Sequence, residues 1–330
     1  MNEVENIFKV FSQAALAFMV AMAITPLVSH LLYKFKAGKQ IREGKEVFST
    51  LHAQKAGTPT MGGIIVWVTT AALTIAFNLS RDQTYLPLFA LVSVAILGMV
   101  DDILNIKGVG KYKGLRMRQK LLWQLAIAGI GAWWFFYKLG FNSIHIPAFG
   151  DITIGFWYVP LFIFVIIASA NAVNITDGLD GLAGGTLALA YLAYAILSYL
   201  QGNIGVSIFC ATVVGSLLAF LWFNIYPARF FMGDTGSMAL GATLGVIALM
   251  TNTVLVLPII GGVFVFETLS VIIQVIYRKL TGGKKLFRSA PIHHHFEALG
   301  WPETKVTMRF WVIGAVCAVM GIVVGVLSIS

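Results

Sequence analysis

The segment NAVNITDGLDGL, Asn171 to Leu182, sets two aspartates, two asparagines and two glycines between two long apolar runs, with no basic residue beside them. Only 11% of this chain is charged, so carboxylates in such a place need a reason. Three more acids occur in comparable settings: Asp101 and Asp102 in DDILN, and Asp234 in FFMGDTGS. Asp177, Asp180 and Asp234 each shortly precede an apolar run, where an aspartate can cap a helix and meet its positive dipole end. For any one of them capping explains as much as chemistry does. Asp101 and Asp102 close an apolar run instead. Two adjacent carboxylates at a helix C-terminus face the negative dipole end and each other, and that arrangement calls for a lysine or a metal ion.

Other polar loops add to the inventory. KAGTPTMGG, Lys55 to Gly63, offers Thr58 as a helix cap with Pro59 at the first helical position, and it lacks the GxxxxGK[ST] of a P-loop. NIYPARFFMGDTGS, Asn224 to Ser237, combines Tyr226, Phe230 and Phe231 with an arginine and an acid. Those aromatics read either as interfacial anchors or as a platform for a flat base. APIHHHFE places His293, His294 and His295 in succession. Consecutive histidines ligate one metal poorly, but they can donate to phosphate oxygens or move a proton near neutral pH. Glu267 lies deep in an apolar run, where an ionisable group needs a partner that the sequence does not identify. Carboxylates, lysines, histidines and glycine-containing loops together suit phosphoryl transfer. Carboxylates would hold Mg²⁺, lysines would neutralise charge, and positioning with electrostatics would supply most of the catalysis.

These residues need a scaffold, and the composition supplies one. The chain has 330 residues, 58% of them hydrophobic, and a mean hydropathy of +0.85; soluble domains carry about 25% charged residues. A span takes about 20 apolar residues. About ten runs qualify: Val10–Tyr33, Met61–Leu79, Leu86–Val100, Leu121–Leu139, Phe156–Ser169, Leu182–Leu200, Ile204–Phe223, Ser237–Met250, Val254–Tyr277 and Phe310–Leu327. The third, fifth and eighth are short and are expected to extend into their polar flanks. The expected fold is all-α, one polytopic membrane bundle over residues 1–330, because the short connections leave no room for a second domain. No cleavable signal peptide is expected, since the first run is span-length and lacks a following cleavage site. Cys210 and Cys317 lie inside apolar runs and suggest no disulfide framework.

Charge orients the bundle. If the spans alternate from an outside N-terminus, all of the 23 Lys and Arg except Lys9, Arg81 and Lys138 fall on one side. The positive-inside rule makes that side cytoplasmic, with both termini outside. The net charge of +9 then marks a face suited to anionic headgroups and anionic substrates. No soluble module is present to offer a patch to nucleic acid. All five aspartates emerge on the cytoplasmic face, in a ring of polar loops around an anion site.

Six of these loops, HAQKAGTPTMGG, DDILN, KGLRMRQK, NAVNITDGLDGLAGG, FNIYPARFFMGDTGS and APIHHHFE, together closely resemble the phospho-N-acetylmuramoyl-pentapeptide transferases of the polyprenyl-phosphate N-acetylhexosamine-1-phosphate transferase superfamily. The resemblance runs from the first cytoplasmic loop to the last. It implies transfer of phospho-MurNAc-pentapeptide from its UDP carrier to undecaprenyl phosphate, giving lipid I and UMP, with Mg²⁺ required. It also implies ten transmembrane helices, a cytoplasmic active site in a bacterial plasma membrane, contact with membrane lipids, and a homodimer. Residue by residue, the family pattern makes Asp234 the magnesium ligand and matches Asp101 and Asp102 to its paired aspartates, one of them the proposed base. Lys55, Lys113 and Lys120 match its basic positions. Asn174, Asp177 and Asp180 match the loop on the nucleoside side, and Asn224 and Phe231 the uracil pocket, Phe231 by stacking. His293 and His294 match the histidines near the diphosphate, with His295 beside them. The alternatives are a related transferase using UDP-GlcNAc and, from another class, a secondary transporter, which would place polar residues at mid-span and break helices in matching halves.

Overall fold

The chain is seen in a computed structural model that describes residues 3–38, 55, 57–108 and 114–327. Helices account for the apolar runs, one to each run but Val254–Tyr277. They are α1 (Glu3–Lys34), α2 (Gly63–Phe77), α3 (Tyr85–Ile106), α4 (Met117–Trp133), α5 (Tyr158–Thr176), α6 (Leu182–Leu200), α7 (Ile204–Asn224), α8 (Asp234–Met250), the short α9 (Leu257–Ile260), α10 (Gly262–Leu280), α11 (Ile292–Ala298) and α12 (Glu303–Val326). Six are long and apolar enough to cross a membrane: α1, α3, α5 with its preceding turn, α6, α7 and α12; α2 and α8 are apolar but shorter.

Three features depart from the sequence expectation. The run Val254–Tyr277 is broken at Gly261 into α9 and α10; Pro258 belongs at the start of a helix, where its missing N–H costs nothing, and it begins α9 there. The fold is not wholly helical: β1 (Ser143–Ile146) and β2 (Gly150–Thr153) form an antiparallel hairpin between α4 and α5. Finally, α3 continues to Ile106, so Asp101 and Asp102 lie more than a turn inside the helix and not at its end.

The bundle is organised around α8, whose residues Thr235 to Leu249 are all buried. In lipid, helices associate through close packing more than through water exclusion, and small residues allow it. A Cβ on Gly241 would lie 2.5 Å from the Ser169 carbonyl of α5, and one on Gly98 of α3 would lie 2.3 Å from the Asp234 carbonyl. These two glycines bring α3 and α5 against α8 at backbone distance.

Hydrogen bonds sort the connections into two ends. At one end Asn78 and Gln83 bind Gly205, Gln201 binds Thr251, and the hairpin binds Asn252 through His145. At the other end meet the loops entering α2 and α8, the α5–α6 loop and the start of α12. Every acid named above lies at or near that second end.

Candidate active site

The α5–α6 loop is the thread on which the site is strung. Leu179 and Leu182 sink into a small apolar cluster with Val263, Val306 and Phe310, which fixes the loop against α10 and α12. Asn174, Gly178 and Asp180, pinned by that cluster, reach three different groups of residues.

The first group surrounds Asp234. Lys120, one turn into α4, bridges Asp101 Oδ2 at 2.6 Å and Asp234 Oδ2 at 2.7 Å. Asn174 donates to Asp234 Oδ1 at 3.0 Å and to Ser237 Oγ at 2.9 Å. Asp101 Oδ1 accepts the Leu115 N–H at 2.6 Å. Asp102 turns elsewhere: buried, it accepts the Thr235 N–H at 3.0 Å and so satisfies an orphan donor at the start of α8 from a neighbouring helix. The paired aspartates therefore divide their work. Asp101 faces the cation, and Asp102 holds Asp234's helix in place. One turn deeper, Asn171 donates to Gln124 at 3.1 Å and ties α5 to α4.

The second group centres on Lys55. Its ammonium meets Asp180 Oδ1 at 2.6 Å and Glu303 Oε1 at 2.5 Å. Burial alone would lower the Lys55 pKa, but Glu303 and Asp180 outweigh it and hold the ammonium above the ordinary lysine range. Glu303 also accepts the Asp180 N–H at 2.6 Å, and Asp180 Oδ2 accepts the Ala228 N–H at 3.0 Å. The Phe231 ring lies 5.7 Å from the Lys55 ammonium and is partly open, whereas Phe230 is fully buried against Phe220 and Phe223. Phe230 is thus core, not an interfacial anchor. Asn224 is a clamp: its oxygen accepts the Gly181 N–H at 3.1 Å and its amide donates to the Phe230 carbonyl at 2.9 Å. The Phe231 N–H donates to the Pro59 carbonyl and the Gly62 N–H to the Phe231 carbonyl, both at 2.8 Å, zipping the two loops that carry the pocket.

The third group holds the histidines, which point three ways. His293 is fully buried, its Nδ1 2.9 Å from Glu267 Oε2. That contact supplies the partner Glu267 needed. His294 Nδ1 lies 2.7 Å from Glu297 Oε2. His295 Nδ1 accepts the Arg288 N–H at 3.1 Å, so it serves its own loop.

None of the three single acids is an N-cap, although Asp234 does sit in the first turn of α8, at its positive dipole end. Gly181 and Gly233 are the N-caps of α6 and α8, with no side-chain cap bond. Asp177 ends α5, its own N–H bonded to the Asn174 carbonyl at 3.3 Å. Lys113 lies outside the described residues. Sequence reasoning missed Glu303 and Ser237. Glu303 follows Pro302 at a helix start, where an acid reads as a dipole complement, and nothing local marks its pairing with Lys55.

The divalent ion expected from the sequence fits this donor set. Mg²⁺ commonly takes one or two carboxylates and completes its shell with phosphate and water. Asp101 and Asp234 offer hard oxygens close enough to share one ammonium. Among the described residues no group of three or more His, Cys, Asp or Glu could hold a metal, so these two carboxylates would have to work with substrate oxygens.

Residues 84–252 match the sequence profile of Glycosyl transferase family 4, and residues 55–65 match phospho-N-acetylmuramoyl-pentapeptide-transferase signature 1. The chain is 45% identical over 317 residues to the phospho-N-acetylmuramoyl-pentapeptide-transferase of Geobacillus sp. (strain WCH70), covering 94% of this chain and 96% of that protein. The protein of the same name from Bacillus mycoides (strain KBAB4) is 45% identical over 325 residues, covering 95% and 97%. That from Chloroflexus aurantiacus (strain J-10-fl) is 42% identical over 334 residues, covering 97% and 90%.

Proposed function

The chain belongs to the phospho-N-acetylmuramoyl-pentapeptide-transferase family, and from that premise we propose its reaction, its orientation and the duties of its residues. It is a transferase that moves phospho-MurNAc-pentapeptide from UDP-MurNAc-pentapeptide to undecaprenyl phosphate, forming lipid I and UMP at the first membrane step of peptidoglycan synthesis. The observation that carries the site assignment is the convergence of Lys120 and Asn174 on Asp234, with Asp101 sharing the Lys120 ammonium.

In this reading an oxygen of the lipid phosphate attacks the phosphorus that bears the sugar, and UMP departs. Asp234, with Asp101 beside it, would hold Mg²⁺, which when bound supplies positive charge against the diphosphate. Lys120 and Lys55 add fixed positive charge on either side of the α5–α6 loop, where it costs no reorganisation during reaction. Phe231 stacks on the uracil, and Asn224, Asp177 and Asp180 shape the loops around it. Asp102 keeps Asp234 in register. His293 and His294 stand on the diphosphate side, and His295 stabilises their loop.

The remaining proposals concern setting. Residues 1–330 form one domain with ten transmembrane helices, both termini outside and the active site on the cytoplasmic face of a bacterial plasma membrane. The enzyme works as a homodimer among membrane lipids. The lysine-rich loops support that orientation.

Reconstitution with UDP-MurNAc-pentapeptide and undecaprenyl phosphate should release UMP and form lipid I, with UDP-GlcNAc inert as donor. Turnover with UDP-GlcNAc alone would move the enzyme to the related transferases, and substrate movement without chemistry would make it a transporter. Asp234→Asn should lose about 10²-fold or more in turnover, as removal of an electrostatic contribution at a transferring phosphoryl group commonly does. Its nucleotide affinity without Mg²⁺ should change little. Near-normal Mg²⁺-dependent turnover in that variant would take Asp234 out of the site.

A further inference from the structure

Glu267 and His293 come from different elements, α10 and α11, and both are fully buried. Glu267 Oε2 lies 2.9 Å from His293 Nδ1 and 3.5 Å from the His293 backbone nitrogen. The outer atom of each residue, Glu267 Oε1 and His293 Nε2, is buried without a hydrogen-bond partner. A carboxylate in its ionised form only accepts, and the His293 backbone N–H also points at Glu267 Oε2; we assign Glu267 the accepting role, which puts the proton of the shared bond on Nδ1. Nε2 is then the ring's one uncommitted polar atom. Leaving a buried polar atom unpaired is costly enough to need an explanation in function or structure.

Gly178 lies against Nε2. A Cβ on Gly178 would fall 2.2 Å from His293 Nε2, while Gly178 itself is exposed. Gly178 lies between Asp177 and Asp180 on the loop that threads the site. The unpartnered imidazole edge is therefore one backbone thickness from the face where the substrate arrives.

We propose that Glu267 is a positioning residue for the transfer reaction, acting through His293: it holds the ring by Nδ1 so that the Nε2 lone pair is presented, beneath Gly178, to a protonated phosphate oxygen of the substrate, whose proton it accepts. This rests on the transferase reading above. Glu267 touches nothing that reacts. It fixes which edge of the imidazole faces the chemistry, as outer-shell carboxylates do for metal-bound histidines, where their loss commonly costs about 10–100-fold. Glycine at 178 is required by the same arrangement, because any side chain there occupies the space in front of Nε2.

The test is a double-mutant cycle on steady-state rates with UDP-MurNAc-pentapeptide and undecaprenyl phosphate. His293→Gln should lower kcat by about 10²-fold or more, the range of a positioned proton-transfer group. Glu267→Gln should lower kcat by about 10-fold or more while the KM for the UDP substrate stays nearly constant. The double variant should be no slower than His293→Gln alone, since a residue acting only through another adds nothing once that one is gone. Multiplying losses, or an undiminished kcat in Glu267→Gln, would overturn the proposal. If either variant fails to fold, Gly178→Ala decides. Its φ lies outside the left-handed region, so the backbone conformation suits alanine, and the added methyl meets the His293 ring, which it must displace; a large fall in kcat with the KM for the UDP substrate nearly unchanged is expected, and wild-type kcat would refute the assignment. A wild-type protein that forms no lipid I would sink the transferase reading and this inference with it. An active wild type with an indifferent Glu267 would sink this inference alone.

Discussion

At the scale of single residues, Lys120 is the side chain whose loss should be felt most widely. It neutralises Asp101 and Asp234 together, and removing one partner of a largely buried ion pair leaves the other charge uncompensated, commonly at about 3–5 kcal/mol. Lys120→Met should therefore lower the midpoint of thermal unfolding in detergent as well as abolish turnover. Unchanged melting would mean that solvent, not Lys120, neutralises the two acids. Phe231 makes a narrower claim. An aromatic face under a base is worth about 1–3 kcal/mol, so Phe231→Ala should weaken binding of the UDP substrate by that amount in titration calorimetry, and Phe231→Trp should retain part of it. Equal affinity in all three proteins would leave Phe231 as a membrane anchor. Most site residues were legible because their chemistry contradicts their surroundings: an acid in an apolar run advertises itself. Glu303 was not, because an acid at a helix start contradicts nothing. The division of labour between Asp101 and Asp102 was hidden too, since it depends on where α8 begins in space.

At the scale of elements, the site depends on helices that touch through glycines. Gly98 lies against the Asp234 main chain, where an added Cβ would come 2.3 Å from the carbonyl oxygen. Backbone cannot yield as a flexible side chain can, so Gly98→Ala should push α3 and α8 apart by a fraction of an ångström or more. Overpacking of this kind commonly costs about 1–3 kcal/mol. The expected result is a folded but less stable protein with severely reduced turnover, read by melting and UMP release on the same preparation; full activity would show that Asp234 tolerates displacement. Helix existence was legible from the length of each apolar run. The short third and fifth runs were expected to extend into their polar flanks, and α3 and α5 do so, through DDILN and NAVNIT; how far they run was not legible, because those residues are held by partners from other helices that no local pattern reveals. The break at Gly261 escaped for the converse reason: Pro258 and Gly261–Gly262 interrupt the helix without interrupting its hydrophobicity.

At the scale of the whole molecule, the question is which end faces the cytoplasm. The two ends are distinct in charge as well as in contacts. Arg81 and Lys138, at the hairpin end, lie 5.9 Å and 5.8 Å from the rings of Trp134 and Trp133, while Lys55, Lys120 and the described basic loop 278–288, which bonds to His295, belong to the other. With Cys210 and Cys317 replaced, a cysteine at Lys284 should be shielded from an impermeant thiol reagent in intact cells, and one at Phe149 on the hairpin tip should react. Both positions are exposed. The reverse labelling would invert the protein and place the site on the wrong side of the membrane for a UDP-linked substrate.

The contact between Lys55 and Glu303 joins positions 248 residues apart, and it carries a consequence in time. Chains emerge from the ribosome N-terminal end first, at about 5–20 residues per second, so Lys55 precedes its partner by roughly 12–50 seconds. By the end of that interval the loops entering α2, α6 and α8 have been made, yet the ammonium has one of its two carboxylates and Asp180 lacks the acceptor for its N–H. The catalytic end is therefore closed by α12, which leaves the ribosome after every other element of the site. A nascent or truncated chain that stops before α12 holds most of the reactive groups without the residue that locks them together, so activity should arrive as a late step and not build up gradually during synthesis.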